Sequence, residues 1–363
     1  MHVAHIMASG ESGGGATYLK GLLPELAKLS VRSCLFTEPQ TGLATELKEL
    51  GFSVEPIEVM KSRLSLARAR DLSQRIRSIK PDIVHAHGTR AAFYCALGSV
   101  HRHSRVIYTA HGIAFRESQN LPKRLMMKAA ETIATRRLVG LASVSEQDLK
   151  TLVSLGQNHQ TPSAYIPNAV DPKIFKPGDK TLARETLDLP EDAFVIGTVS
   201  RLVEQKAVDV LLRAAQSLPG SHLVIIGEGP LEMLLRKQAA DSNVTCHFLG
   251  NRNDVPDILP ALDVFVLSSL WEGEPLSLLE AMATGLPVIA SDTPGSCAIL
   301  RDEYSGLIVS RGSDQELGDA LIKVSLDPIL RKDLARGASA AAAKRTLAAT
   351  ALKTLELYKK GLV

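Results

Sequence analysis

The sequence predicts an α/β protein built from two doubly wound domains. The chain has 363 residues, whereas a single hydrophobic core rarely extends beyond roughly 250–300 residues. Short aliphatic runs alternate with longer helical patterns along most of the chain, which is typical of a parallel sheet covered by helices on both faces. A stretch rich in proline and glycine, residues 165–178, interrupts this alternation near the middle. Together these observations predict two domains of similar size.

The first half contains seven aliphatic runs of strand length, at 2–7, 32–37, 52–56, 82–86, 105–109, 140–144 and 163–166. The helix predicted at 15–29 places Leu19, Leu22, Leu23 and Leu26 on one stripe, as a helix packed against a sheet requires. Further helices are predicted at 42–50, 62–79 and 89–101.

The second half repeats the scheme. Strands are predicted at 194–199, 222–227, 244–249, 263–268 and 287–291, and helices at 206–217, 230–241 and 275–284. After about residue 313 the chain becomes helical and rich in alanine. We therefore expect an N-terminal domain over 1–170, a C-terminal domain over 171–345, and a final helix over 346–363 that packs back on the N-terminal domain.

The composition is that of an ordinary globular protein, with 45% apolar and 22% charged residues. No run approaches the roughly 18 apolar residues of a membrane span, and the first residues lack the pattern of a signal peptide. We therefore expect a cytoplasmic protein. Four cysteines lie far apart without a C-x-x-C pair, which argues against zinc and redox sites. They are Cys34, Cys95, Cys246 and Cys297.

The net charge of +3 hides an imbalance between the halves. Residues 1–175 hold 22 Lys and Arg against 14 Asp and Glu, whereas residues 176–363 hold 20 against 25. Much of the excess lies in two segments, 61–80 and 116–137, where basic residues alternate with apolar ones. These segments are either solvated helix faces or a contact with an anionic membrane surface. Nucleic acid is disfavoured because aromatic residues make up only 4% of the chain.

A glycine-rich segment, residues 9–15, joins the first predicted strand to the first helix. The free N–H groups of a helix N-terminus favour an anion at such a turn. The segment is not a G-x-G-x-x-G dinucleotide motif, because Tyr18 stands where the third glycine is needed when counting from Gly13. We interpret it as a phosphate-facing loop, the alternative being a loop that needs small residues for close packing.

Two pairs of charged residues follow predicted strands of the second domain. Arg201 and Lys206 lie at a strand-to-helix turn, where open α/β sheets bind ligands and where both cations can converge on one diphosphate. Glu272 lies in a loop and Glu280 in the next helix, so their carboxylates can accept hydrogen bonds from sugar hydroxyls. The alternatives are unrelated surface cations, a helix-capping acid and a solvated glutamate.

Taken in order, these residues resemble the retaining glycosyltransferases of family GT4, the glycosyl transferases group 1. The motifs that carry the resemblance are Gly14-Gly15, His87-Gly88, His111-Gly112, Ile166-Pro167-Asn168, Ser200-Arg201-Leu202 with Lys206, Gly227-Glu228-Gly229-Pro230, Glu272 with Glu280, and Gly285-Leu286-Pro287-Val288. The resemblance covers about residues 2–310. It implies the GT-B fold, in which two doubly wound Rossmann-like domains face each other across a cleft.

The resemblance also implies roles for particular residues. Arg201 and Lys206 would neutralise the diphosphate of a UDP- or GDP-linked sugar, Glu280 would hold the ribose, and Glu272 the transferred sugar. His111 would form hydrogen bonds near that sugar, and His87 would face the acceptor. The implied catalytic residues are His111, Arg201, Lys206 and Glu272. The implied donor-binding residues are Gly14, Gly15, Gly227, Gly229, Asn251, Gly273, Glu274, Pro275, Leu276, Ser277 and Glu280.

The implied acceptor is a glycan or a polyprenyl-type or other lipid-linked sugar, as in the synthesis of cell-surface polysaccharide or lipopolysaccharide. No acid of the first domain stands out as a nucleophile for double displacement, so retention is expected through same-face attack. No Asp-x-Asp motif precedes the diphosphate position, so we expect neither a metal nor another cofactor.

Three positions depart from the family pattern. Ala169 and Ala207 stand where the family usually has glycine, and Glu274-Pro275 replaces the common Phe-Gly. Because Pro275 has no backbone N–H, contacts with the donor sugar at this loop are the least transferable. Two other functions fit the same fold. They are a sugar-nucleotide 2-epimerase and a non-catalytic subunit that keeps the fold.

Overall fold

The computed structural model describes residues 1–10, 13–59, 64–113, 115, 120–156 and 161–363. The chain divides into two compact units. The first unit consists of Met1–Ala169 and Leu347–Val363, and the second consists of Val170–Thr346. Each unit is built around one parallel sheet with helices on both faces.

The first unit contains a seven-stranded sheet. Its strands are β1 (His2–Met7), β2 (Arg32–Thr37), β3 (Ser53–Pro56), β4 (Ile83–His87), β5 (Arg105–Ala110), β6 (Gly140–Ser143) and β7 (Ser163–Tyr165). The order across the sheet is β3-β2-β1-β4-β5-β6-β7, and all pairs are parallel. The chain order reverses between β1 and β4, which is the switch point where doubly wound sheets bind ligands.

Six helices of the first unit alternate with these strands. They are α1 (Gly14–Lys28), α2 (Gly42–Glu49), α3 (Leu66–Ile79), α4 (Thr89–Leu97), α5 (Leu121–Ala134) and α6 (Glu146–Gly156). The stripe predicted on α1 is confirmed, because its four leucines are buried. Helix α3 begins at Leu66 with Ser65 as its N-cap, and residues 62–63 of the predicted helix lie outside the described residues.

The second unit contains a six-stranded sheet. Its strands are β8 (Val195–Val199), β9 (His222–Ile226), β10 (Thr245–Gly250), β11 (Val264–Leu267), β12 (Val288–Ser291) and β13 (Leu307–Val309). The order is β10-β9-β8-β11-β12-β13, again with parallel pairs only. Strand β13 was not predicted, since three residues are too few to show a pattern. The switch point lies between β8 and β11.

The helices of the second unit are α7 (Lys180–Thr186), α8 (Val208–Ala215), α9 (Glu232–Ala240), α10 (Val255–Ile258), α11 (Leu276–Ala283), α12 (Pro294–Ile299), α13 (Asp314–Leu326) and α14 (Pro328–Ala342). The last helix, α15 (Leu347–Leu362), belongs to the first unit, where Leu357 and Tyr358 are buried with residues of α1 and β5.

Each sheet separates two apolar clusters. Consecutive residues Val3 and Ala4 of β1 belong to different clusters of the first unit, as do Leu223 and Val224 of β9 in the second. Because side chains alternate along a strand, both faces of both sheets are covered. The prediction of two doubly wound α/β domains is therefore confirmed.

Candidate active site

The cations predicted from the sequence follow β8 in the second unit. Arg201 is exposed, and its side chain forms no hydrogen bond with any described residue. The Lys206 ammonium contacts the carboxylate of Glu272, and both side chains are largely buried. Ser269 Oγ donates to the same carboxylate oxygen at 2.7 Å. The structure thus joins Lys206, for which the family resemblance implies a contact with the donor diphosphate, to Glu272, for which it implies a contact with the transferred sugar.

Polar residues that the sequence analysis did not single out hold this contact in place. Gln205 Nε2 donates to the Trp271 carbonyl at 2.8 Å, and the Leu270 N–H donates to the Gln205 carbonyl at 2.8 Å. Ser268 Oγ donates to the carbonyl of Lys206 at 2.9 Å. The loops after β8 and β11 are therefore joined at several points. The Ser268-Ser269 pair directly after β11 was the available signal for this arrangement.

Helix α11 carries Glu280 and begins without a side-chain cap. Its N-cap residue is Pro275, and no side chain caps the first-turn N–H groups. These groups can therefore donate hydrogen bonds to an anion. The carboxylate of Glu280 has no hydrogen-bond partner among the described residues, and burial raises its pKa to about 7. The Glu280 side chain is half-buried, and its ionised carboxylate can accept hydrogen bonds from ligand hydroxyls.

Glu274 is placed differently from its neighbours in the donor-binding set. Its side chain is buried, and its carboxylate accepts a hydrogen bond from Arg345 Nη1 at 2.7 Å. Arg345 also donates to the Ala298 carbonyl at 2.9 Å. Because this carboxylate is engaged within the unit, contacts between residues 273–277 and a ligand would come from the backbone or from Ser277.

Several glycines allow close approach of backbone segments around these residues. A Cβ on Gly227 would lie 2.0 Å from the Ser200 carbonyl oxygen, and one on Gly229 would lie 2.4 Å from that of Leu202. A Cβ on Gly295, a position that the sequence analysis missed, would lie 2.2 Å from the Gly273 oxygen. These glycines are thus required for packing. Asn251 is exposed directly after β10.

In the first unit, Gly14 and Gly15 open helix α1 after β1. The helix has no side-chain cap and no acidic residue in its first turn, which suits an anion. A Cβ on Gly15 would lie 3.0 Å from Met7 Cε, so close packing also favours glycine at this position. Residues 11–12 of the glycine-rich segment lie outside the described residues.

The two histidines predicted in the first unit lie in one hydrogen-bonded group. His87 ends β4 and His111 follows β5, and His111 Nε2 faces His87 Nδ1 at 3.4 Å. His87 Nε2 faces His5 Nδ1 at 3.1 Å. His87 is 1% exposed and both of its ring nitrogens are engaged. The expectation that His87 faces the acceptor does not fit this placement, since the ring lies behind His111.

A fourth histidine, His85, packs beside this group. Its Nδ1 lies 2.7 Å from the Tyr358 hydroxyl and its Nε2 lies 2.7 Å from Thr109 Oγ1. Burial lowers the pKa of His5 to about 3 and that of His111 to about 4. Burial, together with the neighbouring histidines, also lowers the pKa of His85 and His87 well below the usual value. All four rings are therefore neutral at pH 7.

One ring nitrogen from each of His5, His85 and His87 lies within 4.8 Å of the other two. Among the described residues this is the one group of three or more possible metal ligands. Both nitrogens of His85 already have hydroxyl partners. The rings of His85 and His87 lie 4.0 Å apart at an angle of 37°, whereas imidazoles around a metal ion point toward one centre. The geometry therefore favours a hydrogen-bonded group over a metal site.

Two doubly wound units, with charged residues gathered at the switch point of the second, are typical of nucleotide-binding α/β enzymes. Comparison with solved structures establishes the class. The chain superposes on the structure of Anabaena Alr3699/HepE in complex with UDP-glucose with a TM-score of 0.85 and 21% identity, covering 98% of both chains. The fold is thus that of the GT-B glycosyltransferases.

Sequence comparison then gives the family. Residues 179–341 match the profile of the glycosyl transferases group 1, and residues 12–174 match that of glycosyltransferase family 4. The chain is 32% identical over 295 residues to the Escherichia coli UDP-Gal:alpha-D-GlcNAc-diphosphoundecaprenol alpha-1,3-galactosyltransferase, covering 77% of this chain and 73% of that protein. It is 31% identical over 305 residues to a Stackebrandtia nassauensis D-inositol 3-phosphate glycosyltransferase, covering 76% and 68%. The chain belongs to the GT4 glycosyltransferases.

Proposed function

We propose that this glycosyltransferase moves a sugar, with retention, from a nucleoside-diphosphate sugar to a lipid-linked or glycan acceptor in the synthesis of cell-surface polysaccharide or lipopolysaccharide. The observation that carries the proposal is the arrangement at the switch point of the second sheet. Arg201, Lys206, the uncapped start of α11 and the unpaired Glu280 lie on the segments that follow β8 and β11. One relative, named for galactosyl transfer to a diphosphoundecaprenol-linked sugar, supports the acceptor class.

In this proposal the diphosphate is bound by Arg201, Lys206 and the first-turn N–H groups of α11. The charge on the departing phosphate grows as the glycosidic bond breaks, so these groups stabilise the transition state more than the bound donor. Two cations supply the neutralisation that a divalent metal provides in other enzymes, and we propose that transfer requires no metal. Lys206 already contacts Glu272, which places the carboxylate proposed for the sugar beside the cation proposed for the phosphate.

The nucleoside is held by Glu280 in this proposal. Two ribose hydroxyls donate to its carboxylate, which no described residue pairs. His111 is neutral and forms a hydrogen bond near the transferred sugar. Retention proceeds by same-face attack, in which the acceptor oxygen bonds to the anomeric carbon, the bond to the diphosphate breaks, and the diphosphate takes the acceptor proton.

The donor proposal is tested by a thermal-shift screen across nucleotide sugars, because a ligand stabilises the fold by mass action. A transfer assay with the stabilising donor and a GlcNAc-diphosphoundecaprenol acceptor follows, with and without EDTA. We expect Lys206→Ala to lower turnover about 100- to 1000-fold, and the product to keep the α-anomeric configuration of the donor by NMR. The matched control, Lys332→Ala at an exposed lysine of α14, is expected to keep full turnover. Equal turnover in both variants, or an inverted product, contradicts the proposal.

The same assay separates the two alternative functions. An epimerase converts the nucleotide sugar without any acceptor. Consumption of the donor that does not depend on the acceptor therefore favours an epimerase. A non-catalytic subunit shows neither transfer nor donor hydrolysis.

For the acceptor side, we propose peripheral contact with an anionic membrane through α5. The two basic segments of the first unit differ in structure. Helix α3 buries Leu72 and Ile76, as an ordinary amphipathic helix does, whereas Leu121, Leu125 and Met126 of α5 are 56–58% exposed. Lys123, Arg124 and Lys128 lie among these apolar side chains. Within the described residues, no helix is both long and apolar enough to span a bilayer.

A cavity of about 300 Å³ lies at this helix, lined by Phe115, Arg124, Leu125 and Lys128. Two cations beside two apolar side chains suit an amphiphilic anion, such as the diphosphate of a lipid-linked sugar. Three basic residues of the predicted segments, Lys61, Arg63 and Arg116, lie outside the described residues.

Flotation with liposomes tests this contact. We expect binding to vesicles that contain anionic lipid, weaker binding to neutral vesicles, and loss of binding in Leu125→Ser/Met126→Ser. The matched control is Met233→Ser/Leu234→Ser, which removes two exposed apolar residues, 87% and 62% exposed, from α9. Equal flotation with both vesicle types, or equal loss in both variants, contradicts a specific role for α5.

A further inference from the structure

Three imidazole rings form a chain that leads from His111 into the interior of the first unit. His111 is half-buried, whereas His87 and His5 are buried. Consecutive rings face each other through single nitrogen pairs, at 3.4 Å between His111 Nε2 and His87 Nδ1 and at 3.1 Å between His87 Nε2 and His5 Nδ1. The chain ends at His5 Nε2, a buried nitrogen for which the described part of the protein offers no hydrogen-bond partner.

Because each ring is neutral, each has one N–H donor and one acceptor nitrogen. Only two arrangements place a single proton between every pair of facing nitrogens. In the first, protons lie on His111 Nε2 and His87 Nε2, and the chain ends in a buried His5 Nε2–H donor without an acceptor. In the second, His5 Nδ1–H donates to His87 Nε2, His87 Nδ1–H donates to His111 Nε2, and the terminal nitrogen of His5 is an unprotonated acceptor.

The two arrangements differ in what is left unpaired inside the protein. Among backbone groups a buried N–H without an acceptor is rarer than an under-satisfied carbonyl. Applied to the ring nitrogens at the closed end of the chain, the same asymmetry favours the second arrangement. His111 then carries its proton on Nδ1. Its Nε2 lone pair accepts the hydrogen bond from His87 and is not available to remove a proton from a ligand.

We propose that His87 and His5 are positioning residues that hold His111 as the Nδ1–H tautomer, so that His111 acts as a hydrogen-bond donor and not as a base. The functional consequence rests on the role proposed above for His111 at the transferred sugar. Two neighbours fix the ring planes. Tyr18 of α1 packs edge-on against His111 with ring centroids 4.8 Å apart. His85 is anchored by Tyr358 and Thr109 and lies against His87.

Long-range ¹H–¹⁵N correlation spectra of the full chain labelled with ¹⁵N-histidine test the proposal directly, since the two tautomers give distinct nitrogen shifts. The His111 signals are assigned by their loss in His111→Ala. We expect the Nδ1–H tautomer at pH 7.5 in the native sequence. An Nε2–H tautomer in the native sequence overturns the proposal, and this measurement needs no variant that alters the core.

Variants of His5 test whether the far end of the chain sets the tautomer. His5→Phe removes the Nδ1–H donor, and His5→Asn replaces it with an amide N–H at a similar position. We expect His111 to become a mixture of tautomers in His5→Phe and to keep the Nδ1–H form in His5→Asn. The control is His222→Phe, which breaks a histidine pair of the second unit at 3.0 Å and should leave the His111 signals unchanged. Identical His111 spectra in folded His5→Phe and the native sequence overturn the proposal.

Steady-state transfer kinetics connect the tautomer to function. We expect kcat to fall about tenfold in His5→Phe, the lower end of the loss seen when the hydrogen-bond partner of a metal-bound imidazole is removed. The donor KM should stay within twofold, and His5→Asn should recover kcat. One outcome combines spectra that follow the prediction with sugar transfer at the native rate in His111→Ala. That result supports the positioning of His111 by His87 and His5, and it shows that the role proposed for His111 at the sugar is wrong.

Discussion

At the scale of single residues, Glu280 combines burial with the absence of a partner among the described residues. Burial raises the pKa of its carboxyl to about 7, so the group is close to half-protonated at neutral pH. Ribose hydroxyls donate to the ionised form, and binding therefore selects that form. The affinity for a nucleotide sugar thus depends on pH through this residue.

We predict that the Kd for the preferred nucleotide sugar rises about tenfold between pH 8 and pH 6, because the ionised fraction of a group with pKa near 7 falls by that factor. Isothermal titration calorimetry measures this, and a nucleotide sugar is used because its diphosphate does not titrate in this range. Glu280→Gln should bind weakly at both pH values with no slope. A native-like slope in Glu280→Gln assigns the dependence to another group.

Ala207 carries a conformational cost at the start of α8. Its φ and ψ are 45° and 44°, the left-handed region, which costs an L-residue about 1–2 kcal/mol. We predict that Ala207→Gly raises the free energy of unfolding by about 0.5–1 kcal/mol, since glycine adopts this conformation freely but loses more entropy on folding. Urea unfolding of the full chain measures it.

The control for Ala207→Gly is Ala214→Gly in the last turn of the same helix, where the backbone is right-handed and glycine should lower stability by about 0.5–1 kcal/mol. If both substitutions destabilise the second unit, Ala207 does not carry this cost in solution.

At the scale of elements, α15 completes the first unit although it lies at the far end of the chain. Tyr358 is fully buried, and its hydroxyl meets His85 Nδ1 at 2.7 Å. Gly21 of α1 faces Leu347, and a Cβ on this glycine would lie 2.5 Å from Leu347 Cδ2. The last helix thus contributes both apolar packing and one hydrogen bond to the histidine group.

We predict that Tyr358→Phe lowers the free energy of unfolding of the first unit by about 1–3 kcal/mol, because a buried nitrogen of His85 loses its partner. Chemical denaturation followed by far-ultraviolet circular dichroism measures the change. The control Tyr304→Phe removes the hydroxyl of an exposed tyrosine of the second unit and should shift stability by less than about 0.5 kcal/mol. An unchanged midpoint in Tyr358→Phe shows that the hydrogen bond contributes nothing net.

The elements themselves were predictable where the hydrophobic period is strong. Twelve of the strands in the sheets coincide with predicted aliphatic runs to within two residues at either end. Only β13 was missed, since Leu307–Val309 follows no pattern longer than three residues. The exposed apolar face of α5 was not predicted, because α3 and α5 both mix basic with apolar residues, and packing decides which apolar side chains are buried.

At the scale of the whole molecule, the first unit should lose more stability in acid than the second. In the first unit burial holds four histidines below their usual pKa. Their contribution to stability is present above about pH 6.5 and is lost as pH falls. In the second unit Glu280 has a raised pKa, so its contribution is present below about pH 4.5 and is lost as pH rises through 7. Burial lowers the pKa of His247 in the same unit, which has the opposite effect and offsets part of the Glu280 contribution.

We predict that the free energy of unfolding of the first unit falls between pH 7 and pH 5. His5 alone should account for a loss of about 2 kcal/mol at pH 5, and the other three histidines should add to this loss. The raised pKa of Glu131 opposes this loss only in part, since it is one group against four. The single tryptophan, Trp271, reports on the second unit, and circular dichroism reports on both. Urea unfolding at each pH should show the circular dichroism midpoint falling more than the tryptophan midpoint. Parallel falls of both midpoints contradict the prediction.

Within the site, the residues that could be predicted are those that a short stretch of sequence marks. Arg201 and Lys206 follow the end of β8, and Glu280 lies on the helix after β11, so their placement on one side of the sheet follows from topology alone. The contact between Lys206 and Glu272 and that between Glu274 and Arg345 join residues 66 and 71 positions apart, and no local pattern encodes such pairs.

By itself, the sequence determined the α/β class, the two-domain division and the segments that reach the switch points, because aliphatic periodicity and turn residues act over a few positions. Only the tertiary structure decided which side chains are engaged and which are free. His5 carries no motif and lies 82 residues from His87, yet parallel pairing of β1 with β4 sets His5 beside His85, with His87 two residues further along β4. Burial then makes these rings neutral and hydrogen-bonded. That state depends on the removal of water by packing, which no single stretch of sequence specifies.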